Sequence, residues 1–180
     1  MPGFGSCPRV KVMDTFDVAQ FAGTWYYTAS YPDKMMLNSR CAVTTFTLAI
    51  TAIDSNGSIL INDYNLFRKF VTLGKEKKYL GSAKLITSGV LGVNYPASPK
   101  ANLYYNILDT DYYNYAVIFS CDNYYGVVNG QNLWVLARRK FLEPQYVQKT
   151  LEVITRNGLS IALLKNIDQG CDNPYPYAKV

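Results

Sequence analysis

GTWYYTASYP, residues Gly23 to Pro32, packs a tryptophan and three tyrosines into ten residues directly after an acidic, turn-like stretch. Read at period 2, Trp25, Tyr27, Ala29 and Tyr31 share one face, and Thr24, Tyr26, Thr28 and Ser30 share the other. Such alternation in aromatic and β-branched residues predicts a half-buried strand. Its aromatic face must then pack against a core or a ligand.

Working outward, the same short alternating segments recur, punctuated by turn residues. Ala42–Ile53 is a long strand that runs into DSNGS, an Asn-Gly hairpin turn followed by Ile59–Tyr64. Lys78–Thr87, Gly89–Tyr95, Asn102–Leu108, Tyr113–Cys121 and Gln131–Arg138 complete a set of eight strands. Their regular spacing predicts an antiparallel sandwich or barrel. Only Pro144–Asn157 reads as a helix: Pro144 suits the first turn, Val147, Leu151 and Ile154 recur at helical spacing, and Asn157-Gly158 makes a stop. A short strand, Ser160–Leu164, precedes a Pro-rich tail. With no repeat, low-complexity tract or linker, residues 1–180 are expected to form one domain.

Composition narrows the function. Sixteen tyrosines suit strands and amphipathic pocket walls, because each joins a large apolar ring to a polar tip. The net charge of +5 is mild, and without broad Lys/Arg clustering on one element it does not mark a nucleic-acid binder. Histidine is absent, which removes Ser-His and Cys-His nucleophilic sites. Asp109, Asp111 and Asp122 sit at turn positions rather than as an inward pair, and no Gly-rich phosphate loop precedes a helix. An enzyme is therefore not expected. Cys7, Cys41, Cys121 and Cys171 are far apart with no C-x-x-C pair, so a metal site is not expected either. Two disulfides in an oxidising compartment fit better, with the pairing left open by spacing alone. No apolar run is long enough for a membrane helix, and MPGFGSC reads as a mature secreted chain behind a start methionine. Asn56-Gly57-Ser58 is a glycosylation sequon that serves equally as the hairpin turn, so glycosylation of Asn56 stays open.

Three stretches, in this order, carry a resemblance. FDVAQFAGTWYYTASYP (Phe16–Pro32), DTDYYNYAVIFSC (Asp109–Cys121) and LWVLARRK (Leu133–Lys140) resemble the successive signatures of the lipocalin family, at that family's spacing and over nearly the whole chain. The resemblance implies an all-β fold: an eight-stranded antiparallel up-and-down barrel with one C-terminal α-helix packed outside. It gives Gly23, Trp25 and Arg138 a structural role, with the Arg138 guanidinium lying across Trp25 to plug the closed end. It also implies the disulfides Cys7–Cys121 and Cys41–Cys171.

A closed barrel of this size has room for one small ligand. Carrying the family's frame over by phase points Tyr27, Ala29, Asp63, Asn65, Tyr79, Leu103, Tyr105, Ile118, Ser120, Asn132 and Trp134 inward. Those aromatic walls with a few polar tips suit a largely apolar, oriented ligand. At the mouth, Met35, Met36 and Leu37 are apolar where a solvated loop would be polar, as for a flap over the ligand. Arg68, Lys69, Lys75, Lys77 and Lys78, opposed only by Glu76, read as a basic loop able to meet ligand carboxylates such as bilin propionates. The resemblance thus implies a secreted carrier of a small hydrophobic ligand, first a pigment chromophore (a biliverdin-type bilin or a carotenoid) with a colouration role. Fatty acid, sterol, retinoid or odorant transport is the alternative. Homo- or hetero-oligomeric assembly through Tyr124, Tyr125, Tyr175 and Tyr177 is a third reading. No nucleic acid, membrane span or catalytic cofactor is expected.

Overall fold

The strand that begins at Gly23 is one of eight that close into a barrel. The computed structural model describes residues 2–32, 38–49, 52–53, 59–60, 63–96 and 103–171, and of 52, 53, 59, 60 and 63 the backbone alone. A short strand β1 (Pro2–Phe4) and one helical turn α1 (Val18–Phe21) precede β2 (Gly23–Ser30) and β3 (Ser39–Ala49). Two-residue strands β4 (Ala52–Ile53) and β5 (Ile59–Leu60) pair with each other. Then come β6 (Asp63–Thr72), β7 (Lys75–Thr87), β8 (Val90–Asn94), β9 (Leu103–Thr110), β10 (Tyr115–Tyr124) and β11 (Val128–Ala137). Helix α2 (Pro144–Arg156), a 3₁₀ turn (Ile161–Leu163) and β12 (Lys165–Asn166) follow.

β2, β3 and β6 to β11 pair antiparallel with their neighbours in chain order. β11 then returns to β2, with Trp134 opposite Ser30 and Ala137 opposite Tyr26. Closure pairs the strand edges that an open sheet would leave exposed. The expected up-and-down barrel with a helix outside is therefore the fold.

Two segments differ most from the sequence expectation. The strand expected to end at Tyr64 continues as β6 to Thr72, because β3 and β7 pair with it along its length, from Asp63 opposite Ala49 and Lys84 to Thr72 opposite Ser39 and Lys75. That pairing overrides the loop-like look of Arg68-Lys69. The expected strand Ser160–Leu164 is instead mostly the 3₁₀ turn, and the pairing onto β2 comes later, at Lys165 and Asn166. The Asn56-Gly57 turn lies outside the described residues.

Two apolar cores share one wall. Even-numbered Ala116, Ile118, Trp134 and Leu136 point into the barrel. Odd-numbered Val117, Phe119, Leu133 and Val135 point out, against Val153 and Ile154 of α2 and against Tyr31 and Leu159. Burial on both faces explains why β10 and β11 read as continuous apolar runs rather than alternations. Pro144 opens α2 where its missing N–H is no loss. Gly158, at φ 68°, ends it, with the Leu159 N–H donating to Ile154 O at 3.1 Å. Asn157 fastens the N-terminal arm to this end by accepting the Lys11 N–H at 2.7 Å. Disulfides Cys7–Cys121 and Cys41–Cys171 bind both chain ends to the barrel.

The turn between β9 and β10 is organised by one carboxylate. Asp111 Oδ1 accepts the backbone N–H groups of Tyr113, Asn114 and Tyr115, and Oδ2 accepts the Asn114 amide. Burial pushes this carboxyl up, but the hydrogen bonds from Asn114, Tyr115 and Tyr113 outweigh it and hold it below the ordinary carboxylate range. A depressed folded-state pKa gives stability that is present above the unfolded-state value and is lost as pH falls through the folded value. Asp111→Asn is expected to cost about 1–2 kcal/mol at neutral pH. Denaturant unfolding should show that deficit vanish in strong acid, where the native carboxyl is protonated.

Candidate ligand-binding site

The closed end is built first. Gly23, at φ 101°, brings the chain against Arg138, and a Cβ there would lie 3.0 Å from Arg138 Nη1. Trp25 is fully buried, and its Nε1 donates to Phe21 O at 2.9 Å. Arg138 Cζ sits 3.7 Å from the centre of the indole, within cation–π range. Its N–H groups donate to Tyr112 O, Thr24 O and Gln20 O at 2.9, 3.2 and 2.9 Å. Burial pulls the guanidinium down to about 10, opposed by Asp111 and Tyr64, which leaves it charged at neutral pH. Phe21, Phe46 and Tyr64 continue this floor through ring contacts with centroids 5.1 to 5.3 Å apart.

Above the floor stands a polar girdle. Arg68 points inward from β6, opposite Thr44 of β3 and Tyr79 of β7, and is 2% exposed. Its Cζ lies 5.3, 5.2, 5.9 and 5.5 Å from the ring centres of Tyr27, Tyr95, Tyr105 and Trp134. Its Nη2 donates to the Tyr105 hydroxyl at 2.6 Å. Burial pushes the Tyr27 and Tyr105 hydroxyls up, against the pull of the Arg68 charge, so both stay protonated. Ser120 Oγ and Trp134 Nε1 are buried here without a hydrogen-bond partner. Toward the mouth Phe70 stacks on Tyr79 at 5.9 Å, and Tyr79, Leu103 and Asn132 are only half-buried. Burial thus loosens from floor to mouth.

Most of the residues expected inside are there. Tyr27, Tyr79, Leu103, Tyr105, Ile118 and Trp134 all join the inner core. Ser120 and Asn132 pair with each other on the same inward phase. Ala29 is not inside. A bulge opposite Val135 and Leu136 adds a residue to β2, which turns Ala29 out toward the α2 side and brings Ser30 level with Trp134. Asn65 is exposed, one step out of phase with the inward Tyr64, Leu66, Arg68 and Phe70. Asp63 pairs with Ala49 and Lys84, on the strand phase of Asn65 rather than that of Tyr64. Met35 and Met36 lie outside the described residues. The basic run is no single loop: Lys69 is buried in β6 and ion-pairs with Glu76, while Lys75, Lys77 and Lys78 are exposed on β7. Arg68, Tyr64, Leu66, Phe70 and Tyr95 were missed as wall residues. Continuing the alternation past Tyr64 would have found the first four.

Two grooves lie outside the barrel. One, of about 530 Å³, runs between α2 and the wall beside Ala29, Val135 and Leu151. The other, of about 360 Å³, lies beside the N-terminal arm at Lys11 to Thr15 and Arg156. The inner girdle holds a buried cation, Arg68, on the same inward-facing wall as the buried donors Trp134 Nε1 and Ser120 Oγ.

A barrel sealed at one end, with aromatic walls and a ring of donors at mid-depth, defines a small-molecule-binding β-barrel. The chain belongs to the lipocalin family: the model of the "Lipocalin / cytosolic fatty-acid binding protein family" matches residues 22–170. It is 28% identical to mouse (Mus musculus) apolipoprotein D over 92% of this chain and 83% of that protein. It is also 28% identical to the bilin-binding protein of Pieris brassicae, over 77% and 70%. Among solved structures, lobster apocrustacyanin A1 superposes with a TM-score of 0.75 at 21% identity, covering 97% and 94% of the two chains. Insecticyanin from Manduca sexta gives 0.76 at 23% identity, covering 93% and 88%.

Proposed function

We propose that this lipocalin is a secreted carrier that holds a small hydrophobic ligand above the Trp25 floor, and that the ligand is a pigment chromophore of the bilin or carotenoid type. The observation that carries this reading is the graded interior. Rings line it throughout, the floor is sealed, and the wall loosens toward the mouth at Tyr79, Leu103 and Asn132. Likeness to a bilin-binding protein and to insecticyanin supports a chromophore. Likeness to apolipoprotein D keeps transport of a colourless lipid as the alternative. Two disulfides with no free cysteine agree with an extracellular setting, and no helix among the described residues is long and apolar enough to cross a membrane. Binding is the chemistry that this graded aromatic interior supports.

Protein purified from its native source should carry a visible absorption band. A bilin, a carotenoid, a retinoid and a fatty acid should then be titrated against tryptophan emission. At least one should saturate, and Tyr27→Ala or Tyr105→Ala should weaken it by about 10-fold or more, since each ring contributes over 1.4 kcal/mol of contact. A colourless native preparation that binds only the fatty acid would move the reading to lipid transport. Unchanged affinity in both variants would place the ligand elsewhere.

A specific surface favours assembly as a second reading. Phe4, Tyr125 and Val127 are strongly exposed, with Tyr124 and Val128 partly so, all around the β10–β11 hairpin and the β1 strand beside it. Light scattering across a concentration series tests it, and a monomer at every concentration would remove it.

A further inference from the structure

We propose that the open end of the barrel docks on the surface of an anionic phospholipid bilayer, through two apolar turn tips on opposite sides of the mouth and the lysines beside one of them. This goes beyond the carrier reading and does not depend on it.

Topology places the tips. Around the barrel the strands run β2, β3, β6, β7, β8, β9, β10, β11, and β11 closes on β2. Neighbours alternate in direction, so the β6–β7 and β10–β11 turns lie together at one end, and the Trp25–Arg138 plug lies at the other. The two turns are four strands apart in a ring of eight, which sets them on opposite sides of the mouth.

Each tip holds a large apolar residue in a conformation that disfavours it. Leu73 and Gly74 join β6 to β7 at φ 48° and 72°, and Tyr125 and Gly126 head the β10–β11 turn at φ 55° and 71°. Turns with positive φ at both centres favour Asn or Asp before the Gly, because a larger side chain crowds the backbone there. Yet Leu73 is 87% exposed and Tyr125 99%, so neither gains packing within the chain that would offset the strain. Beside Tyr125, Phe4 is 96% exposed. Its backbone is held there: the Gly5 N–H donates to Val127 O at 2.8 Å, and the Asn129 amide donates to the carbonyls of Phe4, Gly5 and Ser6. The aromatic tip is fixed in place rather than able to fold back on the wall.

Charge and shape select the partner. Lys75, Lys77 and Lys78 follow the Leu73 tip on β7, all exposed, while Glu76, the acid among them, pairs with Lys69 and Lys78. Lys75 and Lys77 lie on the phase of the inward Tyr79, at the rim of the mouth. Cations at the rim attract anionic headgroups, and Leu, Phe and Tyr side chains enter the boundary between headgroups and acyl chains. Two prongs across an open mouth suit a fluid apolar layer, whereas a second protein would need one continuous complementary surface across the gap. Docked this way, the mouth faces the lipid.

The test is flotation of the intact, ligand-free chain with vesicles of equimolar phosphatidylcholine and phosphatidylserine, against vesicles of phosphatidylcholine alone. Wild type should float with the anionic vesicles at low salt and lose most of that binding at high salt. Lys75→Gln with Lys77→Gln should weaken it about 10- to 30-fold, from roughly fivefold per lysine near the surface. Leu73→Asn with Tyr125→Asn should weaken it about 10-fold or more. The melting temperature of that double variant should hold or rise, because Asn suits both turns. A lowered melting temperature with flotation intact would give the two residues a role in folding alone and overturn the proposal. No flotation with anionic vesicles also overturns it, while leaving ligand titration, and so the carrier, untouched. A second copy of the chain is the competing occupant. Wild type that scatters light as a dimer, becomes monomeric in the Asn double variant and floats with neither vesicle overturns the lipid surface in its favour.

Discussion

Reducing both disulfides is expected to remove most of the stability of this chain. Cys7 and Cys121 are separated by 114 residues, and Cys41 and Cys171 by 130. On the chain-entropy model a loop of that length contributes ~4–5 kcal/mol by restricting the unfolded state. The two loops overlap between Cys41 and Cys121, so the second closes within a chain the first has already shortened, and together they contribute less than twice that. Even ~6–8 kcal/mol is comparable with the ~5–15 kcal/mol that holds a typical domain folded. The native contacts around the bridges are not lost on reduction. The Cys41 N–H donates to Asp168 O at 2.7 Å, and Gln169 Nε2 donates to Tyr27 O and Ala42 O at 2.8 Å each. Those bonds keep the C-terminal segment on the barrel only while the barrel persists, because they cannot restrict the unfolded chain. Guanidinium unfolding with and without reductant should therefore show a large fall in midpoint, and thiol titration of the unfolded, unreduced protein should find no free cysteine. A midpoint that hardly moves on full reduction would mean that the bridges do not set the stability.

How much of this was readable beforehand depends on how many neighbours decide each feature. The β2 strand, the helix start at Pro144 and its stop at Gly158 are local, set by alternation, a fixed φ and a left-handed turn, and they stand in the structure as the residues suggest. The cysteine pairing, which spacing left open, was legible only through resemblance, and it is the pairing present. The inward phase of β6 was not legible from a strand ended too early. Arg68 looks like a loop residue until both flanking strands pair across it, and only a closed barrel makes its side of the strand the inside. The bulge in β2 is invisible to a period-2 count for the same reason. It is a mismatch between β2 and β11, more than a hundred positions apart, and it alone decides that Ser30 replaces Ala29 inside. Local pattern thus found the elements, and long-range register decided the site.

Replacing Trp25 should be the most damaging single change in the barrel, at about 3–5 kcal/mol for Trp25→Ala. The indole is fully buried, touches Phe21 at 5.2 Å between centroids and carries the Arg138 guanidinium on its face. Its removal leaves a void that the sealed floor cannot fill by collapse, because Phe46 and Tyr64 are already committed to each other at 5.3 Å. Arg138→Ala should cost less, about 1–3 kcal/mol. It forfeits the cation–π contact and leaves the carbonyls of Tyr112, Thr24 and Gln20 to find water, which the partly open position allows. Arg138→Lys should recover little, since a single ammonium can neither lie flat on the indole nor reach three carbonyls at once. The two residues touch, so the double variant should be less destabilised than the sum of the singles, by about 0.5–2 kcal/mol. Denaturant unfolding followed by circular dichroism gives all four corners of that cycle. Ligand affinity is the control that separates floor from wall. The plug lies below Arg68, so folded Arg138→Ala should bind its tightest ligand within a few-fold of wild type. If affinity collapsed while stability held, Arg138 would be a ligand contact, and the floor of the cavity would have to be moved one layer down.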